Sequence, residues 1–270
     1  MEPLEIAIQA ARVGADILLG HWQQLGKEHA HVKARNDWVS RADRESEAAI
    51  IEFIHDVCPH DVCLGEEGGR QALAGASSSK RVWVIDPLDG TSNYLQHFPF
   101  WSVSIALRDG DETVVGVVHD PLRDDMFATE KGGGAFRNEV RMTVSAQQTL
   151  EGSFLATGFP FRAQKFVSAY VRIFEDVVRT AKGVRRAGSA ALDLAYTAAG
   201  IFDGFFEVHL APWDVAAGAL LVREAGGVVS DFGGGERFWE RGNIIGASAG
   251  VHRGLLDTIA RHTTEDDLDR

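Results

Sequence analysis

Apolar residues recur at helical spacing near the start of the chain. Leu4, Ile8, Ala11, Ala15, Leu18, Leu19 and Trp22 predict a helix from about Leu4 to Leu25. Ser40 has the chemistry of a helix N-cap, and Ala48, Ile51, Phe53 and Ile54 behind it predict a second helix. The pattern then changes to short β-rich runs at Val62–Leu64, Val82–Ile85, Val103–Leu107 and Val114–Val118. Asp109-Gly110-Asp111 joins the last two as a hairpin turn, which makes part of the sheet antiparallel.

The second half alternates differently. A strand at Phe154–Thr157 precedes helices at Ala163–Lys182 and Ser189–Ala199, a strand at Phe205–Val208 and a helix at Trp213–Ala225. Strands at Gly227–Ser230 and Asn243–Gly246 and a last helix follow, an order that reads as layered α/β. Gly75-Ala76-Ser77-Ser78-Ser79 reads as a surface loop, and Thr263 onward as a short, frayed, charged tail.

Composition narrows the function. The 270 residues are 45% hydrophobic, enough to bury a sizeable core in one large domain or two closely joined halves. The net charge of −12, with no long Lys/Arg run, argues against nucleic acid or an anionic membrane as the main ligand. An acidic protein still holds an anionic substrate when a cation supplies the missing charge. Cys58 and Cys63 are too few for a disulfide scaffold or a four-thiolate zinc site and read as reduced thiols. Glu5, Gln9, Arg12 and Asp16 interrupt the N-terminal apolar stretch, so no signal peptide or membrane span is expected there, and a cytoplasmic location is.

Candidate chemistry concentrates where the strand Val82-Trp83-Val84-Ile85 runs into Asp86-Pro87-Leu88-Asp89-Gly90-Thr91-Ser92-Asn93. Pro87 is expected to end the ladder, leaving Asp86 at the strand's carboxyl end. Thr91-Ser92-Asn93 then begins a short helix with free first-turn amides. Two carboxylates on a tight turn suit a hard cation such as magnesium, but Asp-Pro and Asp-Gly are also ordinary turn dipeptides. Glu66-Glu67 and Asp214 likewise stand at the edges of apolar segments, where solvation and the helix dipole are the plain explanations.

Several separate motifs, in order, resemble the inositol monophosphatase family, especially its bacterial branch, over nearly the whole chain. They are Asn36-Asp37-Trp38-Val39-Ser40-Arg41-Ala42-Asp43, Gly65-Glu66-Glu67, Trp83 to Thr91, Gly188-Ser189-Ala190-Ala191 and Pro212-Trp213-Asp214-Val215-Ala216-Ala217-Gly218. The resemblance implies an αβαβα layered sandwich of the sugar-phosphatase type spanning 1–270. It comprises an α+β half of about 1–148, an α/β half of about 149–262 and a frayed end at 263–270.

The same resemblance implies two or three magnesium ions. Glu66, Asp86 and the Leu88 carbonyl would hold the first, Asp86, Asp89 and Asp214 the second, and Glu66 with waters a weaker third. Asp43 and Thr91 resemble the pair that orients and deprotonates the attacking water, with Glu66 also at the reacting centre; the Gly90 and Thr91 amides receive phosphate. Attack is then direct, without a phosphoenzyme. Polyol contacts map onto Asp89, Gly188, Ser189, Ala190, Glu207 and Asp214; of the Arg185-Arg186 pair either one arginine, with Arg185 the candidate, draws in the anion, or both serve a subunit interface.

The expected activity is a lithium-sensitive, magnesium-dependent phosphatase of myo-inositol monophosphate or a similar polyol phosphate, working as a homodimer. Fructose-1,6-bisphosphatase, 3′-phosphoadenosine 5′-phosphate phosphatase and histidinol-phosphatase are the alternatives on the same fold. Thr91-Ser92-Asn93-Tyr94 resembles the inositol version, although Ser92 and Tyr94 replace the more usual Thr and Phe. A regulatory protein that keeps the fold is the alternative of another class. Gly246-Ala247-Ser248-Ala249-Gly250 matches a GxSxG elbow, but only about 20 residues follow to supply a triad. Gly132-Gly133-Gly134 and Gly233-Gly234-Gly235 read as turns, and His29 and His31 have no evident third metal ligand.

Overall fold

The computed structural model describes residues 1–22, 31–34, 37–39, 41–73 and 79–264. The expected Ser40 cap, His29, the end of the first predicted helix, the loop over 75–78 and the tail beyond Thr264 lie outside these residues.

The chain begins with α1 (Pro3–His21), the hairpin β1 (His31–Ala34) and β2 (Asp37–Val39), and α2 (Arg41–Val57). Strands β3 (Val62–Gly65), β4 (Gly69–Ala72) and β5 (Arg81–Asp89) precede the short helix α3 (Thr91–Leu95). Then come β6 (Ser102–Asp109), β7 (Glu112–Asp120), β8 (Asp125–Glu130), β9 (Gly134–Arg137) and β10 (Val140–Arg141). The remainder is β11 (Phe154–Thr157), α4 (Val167–Thr180), β12 (Gly183–Arg185), α5 (Ala190–Ala198), β13 (Gly204–Val208), α6 (Pro212–Glu224), β14 (Val228–Ser230), α7 (Phe238–Arg241), β15 (Asn243–Ala247) and α8 (Ala249–Ala260).

Two mixed sheets result, ordered β10-β9-β8-β7-β6-β5-β3-β4 and β12-β11-β13-β15-β14. Strand periodicity dictates how the layers stack, because alternate side chains face opposite sides of a sheet. Trp83 and Ile85 of β5 pack with α1 and α2, whereas Val84 between them packs with α5 and α6. In the second sheet Phe205 and Ile244 face α5 and α6, while Phe206 and Ile245 face α4 and α8. The layers are therefore α1/α2, large sheet, α5/α6, small sheet, α4/α8, the expected αβαβα sandwich. No helix among the described residues is long and apolar enough to cross a membrane.

Two expectations change in detail. On α1 the buried face is carried by Ile6, Ala7, Ala10, Ala11, Gly14, Ala15 and Leu18, while Leu19 is 40% exposed. Small residues serve there because α2 lies close: a methyl group on Gly14 would run into Ile50 and Ser46. Pro87 does not end β5. The strand passes it through a bulge, its pairing with β6 moving from Asp86↔Ser104 to Asp89↔Ser102. A bulge leaves a residue outside the ladder, so the missing N–H of proline is tolerated there. The strands β1, β2, β4, β8, β9, β10 and β12 were not foreseen; all but β8 are four residues or shorter.

Helix α6 rides on the large sheet at Gly116 of β7, where a Cβ would lie 2.9 Å from the Ala217 carbonyl oxygen and 3.0 Å from its Cα. Backbone cannot yield there as a side-chain tip can. Gly116→Ala is expected to destabilise the protein by about 1–3 kcal/mol in urea unfolding monitored by tryptophan fluorescence. An unchanged midpoint would show that α6 has room to move.

Candidate active site

Three segments bring the four acidic side chains Glu66, Asp86, Asp89 and Asp214 to one cavity of about 420 Å³. Strands β3 and β5 are parallel neighbours in register, Gly65 opposite Ile85, so both end on the same side of the sheet. The Glu66 amide donates to the Ile85 carbonyl at 3.2 Å and sets Glu66 beside Asp86. Residues three apart on a regular strand face opposite ways; the extra residue of the β5 bulge restores Asp86 and Asp89 to one face, that of α5 and α6. The fourth carboxylate, Asp214, comes from the first turn of α6, where Pro212 suits the helix start.

After Asp89 the chain reverses through Gly90, whose φ of 96° a side chain would strain. Gly90, Thr91, Ser92 and Asn93 then line the cavity as the start of α3. The turn is fastened on both sides. Asn93 Nδ2 donates to the carbonyls of Phe100 (2.7 Å) and Ala187 (2.9 Å), and Thr91 Oγ1 donates to the Leu88 carbonyl (3.0 Å) while lying 3.4 Å from Asp43 Oδ2. Asp43 itself is buried on α2, behind Thr91 rather than in the cavity wall.

Internal donors orient the carboxylates. Asp86 Oδ1 accepts from the Leu88 amide at 3.0 Å, and Asp214 Oδ2 from the Ala211 amide at 2.7 Å. Asp89 Oδ2 accepts from Ser189 Oγ at 2.6 Å and the Ala191 amide at 2.7 Å, at the N-terminus of α5. Ser189 is thus the support of Asp89, buried behind it, and the cavity wall at this point is Gly188 and Ala190.

Without a counter-ion these groups oppose one another. Burial pushes the Asp86 carboxyl far above the usual range, and the charges of Glu66, Asp89, Asp214 and Asp43 push it further. Asp214 is raised by burial and then by Asp89 and Glu66, against the Ala211 hydrogen bond. Burial lifts Asp89 to about 6 despite the Ser189 and Ala191 donors, and Glu207 to about 8 despite Arg186 and Arg162. Among the described residues no three acidic, histidine or cysteine side chains are drawn closely enough to hold an ion as they stand. The set nevertheless fits hard cations in kind: every donor is oxygen, and mutual repulsion is what divalent charge relieves. Such ions would draw the carboxylates inward from their present donors.

Ser189, expected as a polyol contact, is one correction to the sequence reading, and Arg185 is a second. Arg185 stays outside the cavity, its guanidinium 4.7 Å from the centre of the Phe154 ring and donating to the Val184 carbonyl. Arg186 lines the cavity instead, 5.4 Å from the Phe161 ring centre and 5.7 Å from that of Phe159. Neighbouring residues at a strand end face opposite ways, so the choice needed a register the sequence does not supply. Phe159, Pro160, Phe161 and Arg162, which form the outer wall, were also missed. A signal existed: an apolar, proline-containing run directly after the strand Phe154–Thr157 is placed like the acidic residues, at a strand's carboxyl end.

Comparison with known proteins agrees with the layered fold. Residues 1–266 match the model of the inositol monophosphatase family. A Nus factor SuhB of Escherichia coli is 44% identical over 253 residues, 94% of either chain. The structure of extragenic suppressor protein suhB from Bartonella henselae superposes with a TM-score of 0.89 at 37% identity, covering 96% of this chain and 98% of that one. An inositol monophosphatase from Anabaena gives a TM-score of 0.84 at 34% identity, covering 97% of each.

The raised carboxyls fix the sign of a pH dependence. Asp89 and Glu207 favour their protonated forms in the folded state, a contribution fully present below their unfolded pKa values and lost as pH rises through about 6 and about 8. With chelator present, the melting temperature should therefore fall by roughly 5 °C between about pH 5.5 and 8.5, and excess magnesium should reverse most of the fall. A melting temperature that holds or rises over this range with chelator would contradict the electrostatic account.

Proposed function

The chain belongs to the inositol monophosphatase family, and from that premise we propose that it is a magnesium-dependent phosphomonoester hydrolase acting on myo-inositol monophosphate or a similar polyol phosphate. The observation that carries this reading is the meeting of Glu66, Asp86, Asp89 and Asp214 with the Gly90–Asn93 turn around one cavity. Glu66, Asp86, Asp89, Asp214 and the Leu88 carbonyl would hold the metal. Magnesium ions supply Lewis-acid charge, which neutralises phosphoryl oxygens and eases the deprotonation of water.

The chain's own groups do the rest. Amides of the Gly90–Thr91 turn receive phosphoryl oxygens and fix the phosphorus with its ester oxygen pointing away from Thr91. A water hydrogen-bonded to Thr91 Oγ1 passes its proton along the hydroxyl to Asp43, 3.4 Å behind. Its oxygen forms the new bond to phosphorus as the bond to the alcohol breaks in line, and the alkoxide is protonated from solvent. Phosphate and free alcohol are the products, with no bond to the protein at any stage. Glu207, with Asp89 and Asp214, offers acceptors for hydroxyl groups of the alcohol, and Gly188 and Ala190 leave room for its ring.

A second reading rests on the Nus factor name carried by the Escherichia coli relative: a regulatory role beside catalysis. The two differ in what they need from the cavity, since a role exercised through the surface does not require Asp89.

Phosphate release from inositol 1-phosphate, fructose 1,6-bisphosphate, 3′-phosphoadenosine 5′-phosphate and histidinol phosphate tests the first reading. Inositol 1-phosphate should be turned over fastest, only with magnesium, and less so with added lithium. No magnesium-dependent release from any of the four refutes the enzyme assignment. Asp89→Asn should lower turnover by on the order of 100-fold while leaving the urea midpoint unchanged or raised, because a repelled carboxylate has gone. Turnover at the wild-type level in this variant rules out Asp89 as a ligand.

A further inference from the structure

Helix α2 carries a buried carboxylate that the reaction above does not use. Glu47 is 3% exposed and lies one helical turn beyond Asp43, on the face toward the large sheet. Its Oε2 accepts from the Glu67 amide at 2.8 Å and its Oε1 from the Gly68 amide at 2.7 Å. These amides belong to the loop Glu66-Glu67-Gly68 that joins β3 to β4, where Gly65 pairs with Gly69. The third amide of the loop, that of Glu66, donates to Ile85 in β5. Every backbone donor of the loop is therefore committed, two of them to one side chain.

The carboxylate lies close against a glycine on both sides. A methyl group on Gly65 would run into the Glu47 carboxylate, and one on Gly68 would come within 2.9 Å of Oε1. Between them stands Glu66, whose side chain reaches the cavity while its backbone is held from behind. The loop is only three residues long, so its peptide planes set the direction of that side chain.

We infer that Glu47 is a positioning residue that aims Glu66 at the metal site by clamping the Glu67 and Gly68 amides. This rests on the metal-dependent reading of the cavity and adds to it a residue that touches neither cation nor substrate. Ser46 Oγ, next to it, lies 3.5 Å from the Pro87 carbonyl at the β5 bulge. Asp43, Ser46 and Glu47 thus meet three separate parts of the site: the α3 start, the bulge and the Glu66 loop. A plain hairpin clip is the competing description, and it makes a different prediction. A clip loses stability when cut but leaves cation affinity alone; an aiming device loses affinity even where the fold survives.

Glu47→Ala and Glu47→Gln in the full chain separate these. Melting temperature, magnesium binding by titration calorimetry, and kcat and KM for the best substrate of the four phosphomonoesters would be measured. Magnesium affinity should weaken by about 10- to 100-fold in Glu47→Ala, with kcat reduced and KM little changed at saturating magnesium. Glu47→Gln should fall between, because its carbonyl oxygen still accepts one amide while its NH2 faces the other; it also serves if the alanine variant fails to fold. Wild-type magnesium affinity in a folded variant overturns the inference and leaves the reading of the cavity standing. A wild-type protein that binds no magnesium overturns both.

Discussion

Like charge crowded into a poorly solvated cavity is the constraint around which this molecule is organised. Asp86, Asp89 and Asp214 each raise or are raised by their acidic neighbours, and Glu66 contributes to the first and last of these. A chain that gathers such groups gives up stability in the absence of a cation, and something else must hold them together. Here it is the backbone. Each aspartate accepts from an amide two or three residues away in its own turn or at the start of a neighbouring helix, so its direction is set by elements that are themselves packed into the hydrophobic core.

The layered fold suits that task because it brings the carboxyl ends of β3 and β5, the first turn of α6 and the N-terminus of α5 to one rim. Helices α5 and α6 lie between the sheets, with buried faces made mostly of alanine, leucine and valine. Such small side chains let both sheets approach closely, and Gly116 carries the same economy to its limit against Ala217. Asp89 on the large sheet and Ser189 on α5 consequently meet at 2.6 Å although they are 100 residues apart in the chain.

Much of this was readable from residue order. Long periodic segments and the alternating strands gave a layered α/β arrangement, since core burial follows a period of 3.6 or 2, and the family resemblance gave the αβαβα order of the layers. The acidic residues announced themselves by standing where apolar runs stop. What failed to announce itself depends on register. Pro87 read as a strand end because nothing in the sequence signals a bulge that the next strand will accept. Arg185 and Arg186 differ only in which way a three-residue strand faces. Glu47 looks like any helix glutamate: its partners are amides 20 and 21 residues away, and main-chain donors leave no mark on composition. The short strands β1, β2, β4, β9, β10 and β12 escape for the related reason that pairing, rather than intrinsic preference, makes them strands.

The bulge in β5 has an implication for how such a segment changes over generations. Whether two positions on a strand share a side is a matter of odd and even, and the unpaired residue near Pro87 converts an odd interval into an even one. Replacing that residue leaves the parity intact; deleting it sends every side chain after it to the wrong side at once. The number of residues between the two aspartates is therefore constrained more tightly by the fold than the identity of the residues that fill it.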